Sequence, residues 1–207
     1  MMENMPTSST AKRPYGKAKL KLVEATLDSL MEEGFEGCSV RKICERADVS
    51  TGLINYHFGS MQGLVAAAYR HMALKMLNLA IQKSEAAHND PRGQLTMFLK
   101  ETFSKRVMDK RNLRACIVFW GMIYTSPLVK DVHDETNTAF WKYLDGIFTE
   151  LEKSGTIKPS SRMAAIGLTA IIDGLWLEWG LQSSSFSRKN ALELCEQWID
   201  SAWEPTV

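Results

Sequence analysis

The chain has 207 residues, of which 45% are hydrophobic and 24% charged, and its formal net charge is +1. This composition is typical of soluble globular proteins and excludes collagen-like and intrinsically disordered chains, while the length suits one large domain or two small ones. The balanced charge gives the chain as a whole no preference for polyanions.

The sequence predicts a cytoplasmic protein without a membrane span. Its start has no apolar core of the kind a signal peptide needs, and the most apolar stretch, residues 163–177, is interrupted by Asp173. The cysteines have neither CxxC spacing nor the pattern of a disulfide framework, so we expect reduced, mostly buried thiols at Cys38, Cys44, Cys116 and Cys195.

The first part of the chain combines a polar tail with basic residues. Residues 1–11 have little to bury, which predicts a disordered tail. A basic cluster without acids follows, formed by Lys12, Arg13, Lys17, Lys19 and Lys21. Such a local cluster can contact a phosphate backbone even when the whole protein is neutral.

Three helices are predicted before residue 60. The first has apolar residues at helical spacing and ends at Gly34 and Gly37. Ser39 is suited to cap a short second helix, which an Asp-Val-Ser turn interrupts, and Ser50 is suited to cap a third, over residues 51–58. Two short helices joined by a three-residue turn behind a longer helix match a DNA-binding helix-turn-helix.

The turn and the inner face of this unit suit a helix-turn-helix. Asp48 fits the turn, because Asp adopts left-handed backbone conformations more readily than most residues. Ile54 and Phe58 lie four residues apart and can pack inward against the first two helices. Thr51, Gly52, Asn55 and Tyr56 then face outward, with Leu53 and His57 at the margin.

This outer face has the side chains that DNA recognition requires. Thr51 and Asn55 can bond base edges, Leu53 can contact a thymine methyl group, and Gly52 permits close approach. Phosphate contacts are expected from Tyr56, His57, Arg41, Lys42 and Ser39. The predicted DNA-binding set is Ser39, Arg41, Lys42, Ser50, Thr51, Gly52, Leu53, Asn55, Tyr56 and His57. The alternative is a surface helix hairpin with no role in DNA binding.

Longer helices follow and no strand pattern is found, so the predicted fold is all-α. The predicted helices cover residues 61–86, 92–108, 111–125, 128–153, 160–183 and 188–203. We therefore predict a helix-turn-helix domain over residues 12–60, a connecting helix over 61–86, and a second helical domain over 87–207.

The run SVRKICERADVSTGLINYHFGSMQGLVAAAYRHM resembles the N-terminal domain of the TetR family of bacterial repressors, which carry a similar A-x-V-S-x-G-x-(I/L)-x-x-(H/Y)-F signature. The resemblance covers about 45 residues and implies a dimeric, ligand-responsive repressor that binds operator DNA. Two positions depart from the family pattern. Asp48 replaces the usual turn Gly, and Met61 stands where the family often has Lys, which implies the loss of one phosphate contact.

The helix over 160–183 has a stripe of small and aliphatic residues at alternating spacing of four and three. Pattern alone fits packing inside the chain as well as packing against a second copy. The TetR resemblance favours the second copy, because in that family the last two helices of each subunit form a four-helix dimer interface. The predicted interface is Met163, Gly167, Ala170, Gly174, Leu177 and Trp198. The expected fold is a three-helix head on a helical bundle that dimerises through its last two helices.

Aromatic residues are frequent in the second part of the chain, where a structural role in the core is the alternative reading. Aromatic faces beside a carboxylate bind quaternary ammonium ions, which cannot donate an ordinary N–H hydrogen bond. The predicted ligand-binding residues are Phe119, Trp120, Tyr124, Trp141, Asp173, Trp176 and Trp179.

The stretches VFWGMIYTSPLVKDVHDETNTAFWKYL and GLTAIIDGLWLEWGL are similar to the C-terminal domain of the choline-responsive BetI-type repressors. This similarity implies a repressor that binds a palindromic double-stranded DNA operator as a homodimer and is released by a small effector, either choline or another quaternary ammonium. The alternative is a TetR-like regulator of an unrelated apolar or aromatic ligand.

Other functional classes lack sequence support. The histidines are scattered, and no HExxH, GxSxG, P-loop or paired-cysteine motif is present, so we expect no enzyme, no cofactor and no metal site. A helical interaction protein that never binds DNA remains the alternative from another class.

Overall fold

A computed structural model describes residues 16–35, 38–88, 90–153, 155–182 and 185–205. The predicted tail over 1–11, the basic residues Lys12 and Arg13, and the predicted helix end at Gly37 lie outside the described residues.

Helices dominate the described chain. They are α1 (Lys17–Glu33), α2 (Val40–Ala47), α3 (Gly52–Phe58), α4 (Met61–Glu85), α5 (Pro91–Thr102), α6 (Lys110–Met122), α7 (Pro127–Glu152), α8 (Ser161–Leu181) and α9 (Arg188–Ala202). The strand β1 (Gly155–Ile157) pairs in antiparallel fashion with β2 (Trp203–Pro205). The predicted all-α fold is confirmed, and this short two-stranded ribbon is an addition to it.

The first three helices form a small head with its own core. Leu22, Leu30 and Ile43 are fully buried, and Ile54 of α3 is 1% exposed. The Ser39 side chain accepts a hydrogen bond from the Lys42 backbone N–H, which confirms the predicted cap of α2. This cap stabilises a helix of only eight residues.

The turn between α2 and α3 contains a residue in the left-handed backbone conformation, as expected. Asp48 has φ 53° and ψ 55°, and its backbone N–H bonds the carbonyls of Cys44 and Glu45. The start of α3 differs from the prediction: Thr51 occupies the N-cap position in right-handed helical conformation, and no side chain caps the helix. Ser50 therefore does not cap α3, because the chain enters the helix directly through backbone bonds from Leu53 to Ser50 and from Ile54 to Thr51.

Three of the body helices begin at side-chain caps. Asp90 caps α5, Asp109 caps α6, and Ser187 forms a capping box with Asn190 at the start of α9. The predicted helix over 92–108 stops at Thr102, because the chain turns before Asp109 starts the next helix. The predicted helix over 111–125 likewise stops three residues early, at Met122.

The helix α4 joins the head to the body. It packs on α1 and α3 at the head and on α5 and α7 in the body. Two further contacts hold α6 against α1: Arg111 forms an ion pair with Asp28 at 2.6 Å, and Arg114 donates to the Met31 carbonyl at 3.1 Å. The head position is therefore set by both α4 and α6.

The helices α7, α8 and α9 pack in sequence, and the β1–β2 ribbon connects the end of α7 to the end of α9. Among the described residues, α8 is long and apolar enough to cross a membrane by length and composition, despite Asp173. It also packs against α6, α7 and α9, so we interpret it as a helix of the bundle.

Candidate DNA-binding face and ligand cavity

The outward face of α3 is polar and accessible. Thr51, Gly52, Asn55 and Tyr56 are exposed, and the Tyr56 side chain is 81% accessible. A Cβ atom added at Gly52 would meet nothing within 4 Å, so the backbone there is open to close approach. These residues lie together on one face, as their spacing predicts.

The margin of this face is partly buried. Leu53 and His57 are half-buried, and Leu53 packs against the core. The Lys19 ammonium lies 5.4 Å from the centre of the Phe58 ring, so α1 and α3 are joined by a cation–π contact. Leu53 therefore helps to pack α3 against the core, and its side chain is only partly accessible to solvent.

The cationic residues of α2 are paired with carboxylates. Arg41 lies 3.5 Å from Glu45, and Lys42 forms an ion pair with Glu33. Ser39 is exposed but its hydroxyl serves as the helix cap. Arg41 lines an open surface pocket with Ser50 and Thr51 at the start of α3, whereas Lys42 lies towards α1 through its pair with Glu33. Both would exchange exposed ion pairs for phosphate contacts on binding DNA. Exposed pairs of this kind typically contribute about 0–1 kcal/mol to stability, so breaking them on binding DNA costs little free energy.

The body contains a cavity of about 120 Å³. Its wall is formed by side chains of α4, α5, α6, α7 and α8 and by Val107 between α5 and α6. An apolar cavity of about 150 Å³ binds benzene in another protein, so this one suits a small organic molecule. Of the predicted ligand-binding residues, Trp120, Asp173 and Trp176 line it.

Four predicted ligand-binding residues do not line the cavity. Phe119 is fully buried and stacks on Tyr69, with ring centroids 4.6 Å apart, so it supports the wall from behind. Tyr124 is 97% exposed, because α6 ends before it. Trp179 is buried beneath the Arg188 guanidinium, 4.7 Å from its ring, and Trp141 is half-buried elsewhere on α7.

Sequence reasoning missed most of the wall contributed by α4 and α7. Tyr69, His133, Asn137 and Phe140 all line the cavity. The Tyr69 hydroxyl and His133 Nδ1 are hydrogen-bonded at 3.0 Å, which joins α4 to α7 at the cavity. The helical spacing of His133, Asn137 and Phe140, at steps of four and three, was the available signal.

Asp173 is the acidic residue among the described cavity-lining residues. Its side chain reaches solvent at the edge of α8, but the surrounding apolar wall raises its pKa to about 6, because burial disfavours the charged carboxylate. Burial also lowers the pKa of His133, which favours the neutral imidazole. The cavity thus combines aromatic faces with a single carboxylate, an arrangement that favours a cation over an anion.

Trp176 adds a possible donor to this wall. It is 6% exposed, and its indole Nε1 has no hydrogen-bond partner among the described residues.

No group of three or more His, Cys, Asp or Glu side chains suited to a metal ion is found in the described part of the chain.

The predicted dimer stripe on α8 is largely uncovered. Met163 is 56% and Leu177 40% exposed, and Ala170 and Gly174 are also exposed. Gly167 differs, because a Cβ atom there would lie 3.0 Å from Cζ2 of Trp198 in the same chain. Gly167 and Trp198 therefore pack on each other within the protomer, which leaves both only half-buried.

Both parts of the chain match known families. Residues 91–204, more than half of the chain, match the family described as BetI-type transcriptional repressor, C-terminal, and residues 22–68 match the bacterial regulatory proteins of the tetR family. The HTH-type transcriptional regulator BetI of Burkholderia cenocepacia is 29% identical over 182 residues, which cover 88% of this chain and 92% of that protein.

Solved structures share the fold. A transcriptional regulator from Pseudomonas aeruginosa PAO1 is 35% identical with a TM-score of 0.80, covering 88% of each chain. A transcriptional regulator from Saccharomonospora viridis in complex with choline is 15% identical with a TM-score of 0.78, covering 90% of this chain and 97% of that one, which shows likeness of fold. These relatives are regulators, and no enzyme family is indicated. The chain belongs to the TetR family of transcriptional regulators and has a BetI-type C-terminal domain.

Proposed function

We propose that this protein is a cytoplasmic, homodimeric repressor that binds a two-fold symmetric operator and is released by a small cation, choline or another quaternary ammonium. The observation that carries the proposal is the pairing, in one chain, of an exposed polar α3 face with a body cavity walled by aromatic rings and Asp173. The BetI-type regulators it matches and the choline complex of a structural neighbour support the choice of ligand.

The α3 face supports major-groove recognition. A helix of this width fits the major groove, where Asn can bond adenine edges and Thr can bond several bases. Thr51 and Asn55 are exposed for such contacts, while Tyr56 can reach a phosphate. Dimers of helix-turn-helix proteins bind half-sites about 34–36 Å apart, so the spacing of two heads decides affinity.

The cavity supports cation binding. The rings of Tyr69, Trp120, Phe140 and Trp176 supply negative π faces, and the Asp173 carboxylate supplies a full charge. The unpartnered Trp176 N–H is a candidate donor to the hydroxyl of choline. An anionic ligand would meet no cationic side chain among the described lining residues, apart from the imidazole of His133.

The helix α4 supports communication between the two sites. Tyr69, in α4, lines the cavity and bonds His133, and the same helix packs on α1 and α3. A ligand that moves this wall therefore moves the head. Coupling between two such sites typically amounts to about 1–3 kcal/mol, which corresponds to a 5- to 150-fold change in affinity.

The test is a gel-shift titration of the DNA upstream of this gene, with and without choline chloride. The wild-type protein should shift the DNA, and choline should weaken the complex 5- to 150-fold. The triple variant Thr51→Ala, Asn55→Ala, Tyr56→Ala should lose DNA binding while its circular dichroism stays helical. Tyr124→Ala removes another exposed tyrosine, which lies between α6 and α7, and should bind as wild type does.

Two results would contradict the proposal. Unchanged DNA binding by the triple variant would exclude α3 as the recognition helix. Operator binding that ignores choline, but weakens with its neutral isostere carrying a tert-butyl group, would assign the cavity to an uncharged apolar ligand.

A further inference from the structure

The carboxylate of Asp173 lies at the border between two faces of α8. One face, with Thr169, Ile172 and Trp176, lines the cavity. The other face carries the exposed residues Ala170 and Leu177, which lie three residues before and four residues after Asp173 and are therefore its neighbours on the helix surface. Asp173 belongs to the cavity wall and yet is exposed in the isolated chain.

We infer that a second copy of this chain covers the open side of Asp173, so that cation binding in the cavity and dimerisation through α8 strengthen each other. This inference rests on the proposed function for the cation and the dimer, and adds a linkage between them. In the isolated protomer the cavity is incomplete at this edge, and the partner completes it.

The exposed surface of α8 and α9 favours a second copy as the occupant. Large apolar side chains remain uncovered there: Met163 (56%), Leu177 (40%), Leu181 (70%) and Leu194 (47%). On the exposed face of α8, Met163 and Leu177 lie seven residues before and seven residues after Ala170. Antiparallel pairing of two α8 helices about Ala170 brings Met163 beside Leu177 of the partner subunit. A surface that is complementary to itself is what a two-fold interface requires.

The physical basis of the linkage is the change in solvent around one carboxylate. While water reaches Asp173, its attraction to a cation in the cavity is weakened by the high dielectric constant. Covering the open side with the face of a second α8 around Ala170 removes that water and strengthens the attraction. Covering an unpaired carboxylate is also costly, and a cation in the cavity offsets this cost.

Linkage of this kind is reciprocal, so it can be measured from either side. In analytical ultracentrifugation of the full chain, choline chloride should lower the dimer dissociation constant 5- to 150-fold relative to an equal concentration of sodium chloride. The neutral isostere of choline should leave the dissociation constant unchanged, because it cannot compensate the carboxylate.

Variants separate the carboxylate from the surface. Asp173→Asn should tighten the dimer without choline and abolish the response to choline. Glu178→Gln is the matched control, because Glu178 is an exposed carboxylate of the same helix that does not line the cavity. It should keep the response to choline.

The reciprocal measurement uses a monomeric variant. Leu181→Gln combined with Leu194→Gln removes two exposed apolar side chains without adding charge near Asp173. Its choline affinity, from tryptophan fluorescence, should be at least fivefold weaker than that of the wild type, with circular dichroism as the folding control.

Each outcome decides the inference. Equal choline affinity of monomeric variant and wild-type dimer, with an operator response still present, overturns the linkage and leaves the proposed function standing. A double variant that remains fully dimeric overturns it as well, because the covering surface then lies elsewhere. Absence of choline binding in any form, with intact DNA binding, overturns the proposed effector and the linkage together.

Discussion

Asp48 sets the direction in which the chain leaves α2 and enters α3. Its left-handed backbone, with φ 53° and ψ 55°, ends α2 and directs the chain into α3. It is the one non-glycine residue with positive φ in the described chain. Asp tolerates this region better than most residues, but its Cβ still opposes the neighbouring backbone. The head therefore contains a small, local conformational strain.

We expect Asp48→Gly to raise the free energy of unfolding by up to about 1 kcal/mol, because glycine adopts left-handed conformations without steric cost. Asp48→Val should lower it by more than that, since a β-branched side chain resists positive φ. Urea denaturation measures both. Gly59→Ala, at φ 74° after α3, is the reverse change and should destabilise by about 1–2 kcal/mol. A destabilised Asp48→Gly variant would mean that the carboxylate itself stabilises the turn.

Asp173 makes the stability of the body depend on pH. Burial raises the pKa of the folded carboxyl to about 6 from an ordinary value of 3.8. The folded chain thus holds this proton more tightly than the unfolded chain. The resulting stabilisation is complete below about pH 3.8 and is lost as pH rises through 6.

Asp173→Asn should therefore raise the melting temperature at neutral pH and change it little near pH 4, where the wild-type carboxyl is already protonated when folded. In the wild type, choline affinity should fall as pH falls below about 6, since the cation requires the ionised carboxylate. Thermal scans and fluorescence titrations across this range measure the two effects. Equal stabilisation at both pH values would show that the variant acts through packing instead.

Residue-level prediction succeeded where a local rule sufficed. The Ser39 cap and the left-handed Asp48 follow from the preferences of Ser and Asp at helix ends. The cavity wall required knowledge of tertiary packing. Tyr124 and Trp120 are one turn apart in sequence terms, but α6 ends between them, and only Trp120 lines the cavity. Tyr69 was missed because its position in the helical pattern of α4 is that of an ordinary buried core residue.

At the scale of elements, the corner between α3 and α4 leaves no room for a side chain at residue 63. A Cβ atom added at Gly63 would lie 2.2 Å from the Phe58 carbonyl oxygen, a backbone atom. The Ser60 side chain caps α4 at the same place by accepting from the Gly63 N–H. The angle between recognition helix and connecting helix thus depends on the absence of a side chain at residue 63.

Gly63→Ala should destabilise the protein by about 1–3 kcal/mol, as overpacking does, and should weaken operator binding because α3 is displaced. Gly121→Ala is the matched control. It lies within α6 with nothing within 4 Å of the added Cβ, so better helix propensity should stabilise it by up to about 1 kcal/mol. Urea denaturation and gel shifts give both quantities. A Gly63→Ala variant as stable as the wild type would show that α3 can shift without a loss of folding stability.

The helices α4 and α7 are linked at the cavity by the bond between Tyr69 and His133. Tyr69→Phe should keep most of the choline affinity, since the ring remains, but reduce the choline-induced loss of operator binding at least fivefold. Tyr124→Phe changes an exposed tyrosine that does not line the cavity and should behave as wild type. If Tyr69→Phe responds fully to choline, the signal reaches the head by another contact.

Element prediction was limited by helix ends and by very short strands. Helical periodicity continues through Phe103–Met108, but Asp109 starts a new helix and the chain turns before it. The strands β1 and β2 have three residues each and are separated by α8 and α9. Neither is long enough to show alternation, so their pairing follows only from the packing of the helices between them.

At the scale of the whole molecule, the head is held to the body through two routes. The helix α4 is one, and the contacts of Arg111 with Asp28 and of Arg114 with the Met31 carbonyl are the other. The Arg111 and Asp28 side chains are 62% and 43% exposed, so their ion pair contributes little to overall stability. Its role is to restrict the position of the head.

Arg111→Ala should change the free energy of unfolding by less than about 1 kcal/mol but weaken operator binding several-fold, because the two heads lose their preferred spacing. Choline affinity should stay within twofold of wild type. Lys130→Ala, which breaks an exposed ion pair with Asp134 inside α7, is the control and should alter none of these values. An Arg111→Ala protein with normal operator affinity would assign the head position to α4 alone.

The β1–β2 ribbon has a practical consequence for handling the protein. By joining the residues after α7 to those after α9, and with a bond from the Lys158 N–H to the Ala202 carbonyl at 3.0 Å, it fastens the final helix at its far end. A deletion of residues 203–207 would remove the β2 half of the ribbon and leave the end of α9 more open to fraying and proteolysis, although Arg92 would still pair with Glu196 and Asp200. Purification handles and fluorescent fusions therefore belong at the amino terminus in biophysical work on dimer assembly.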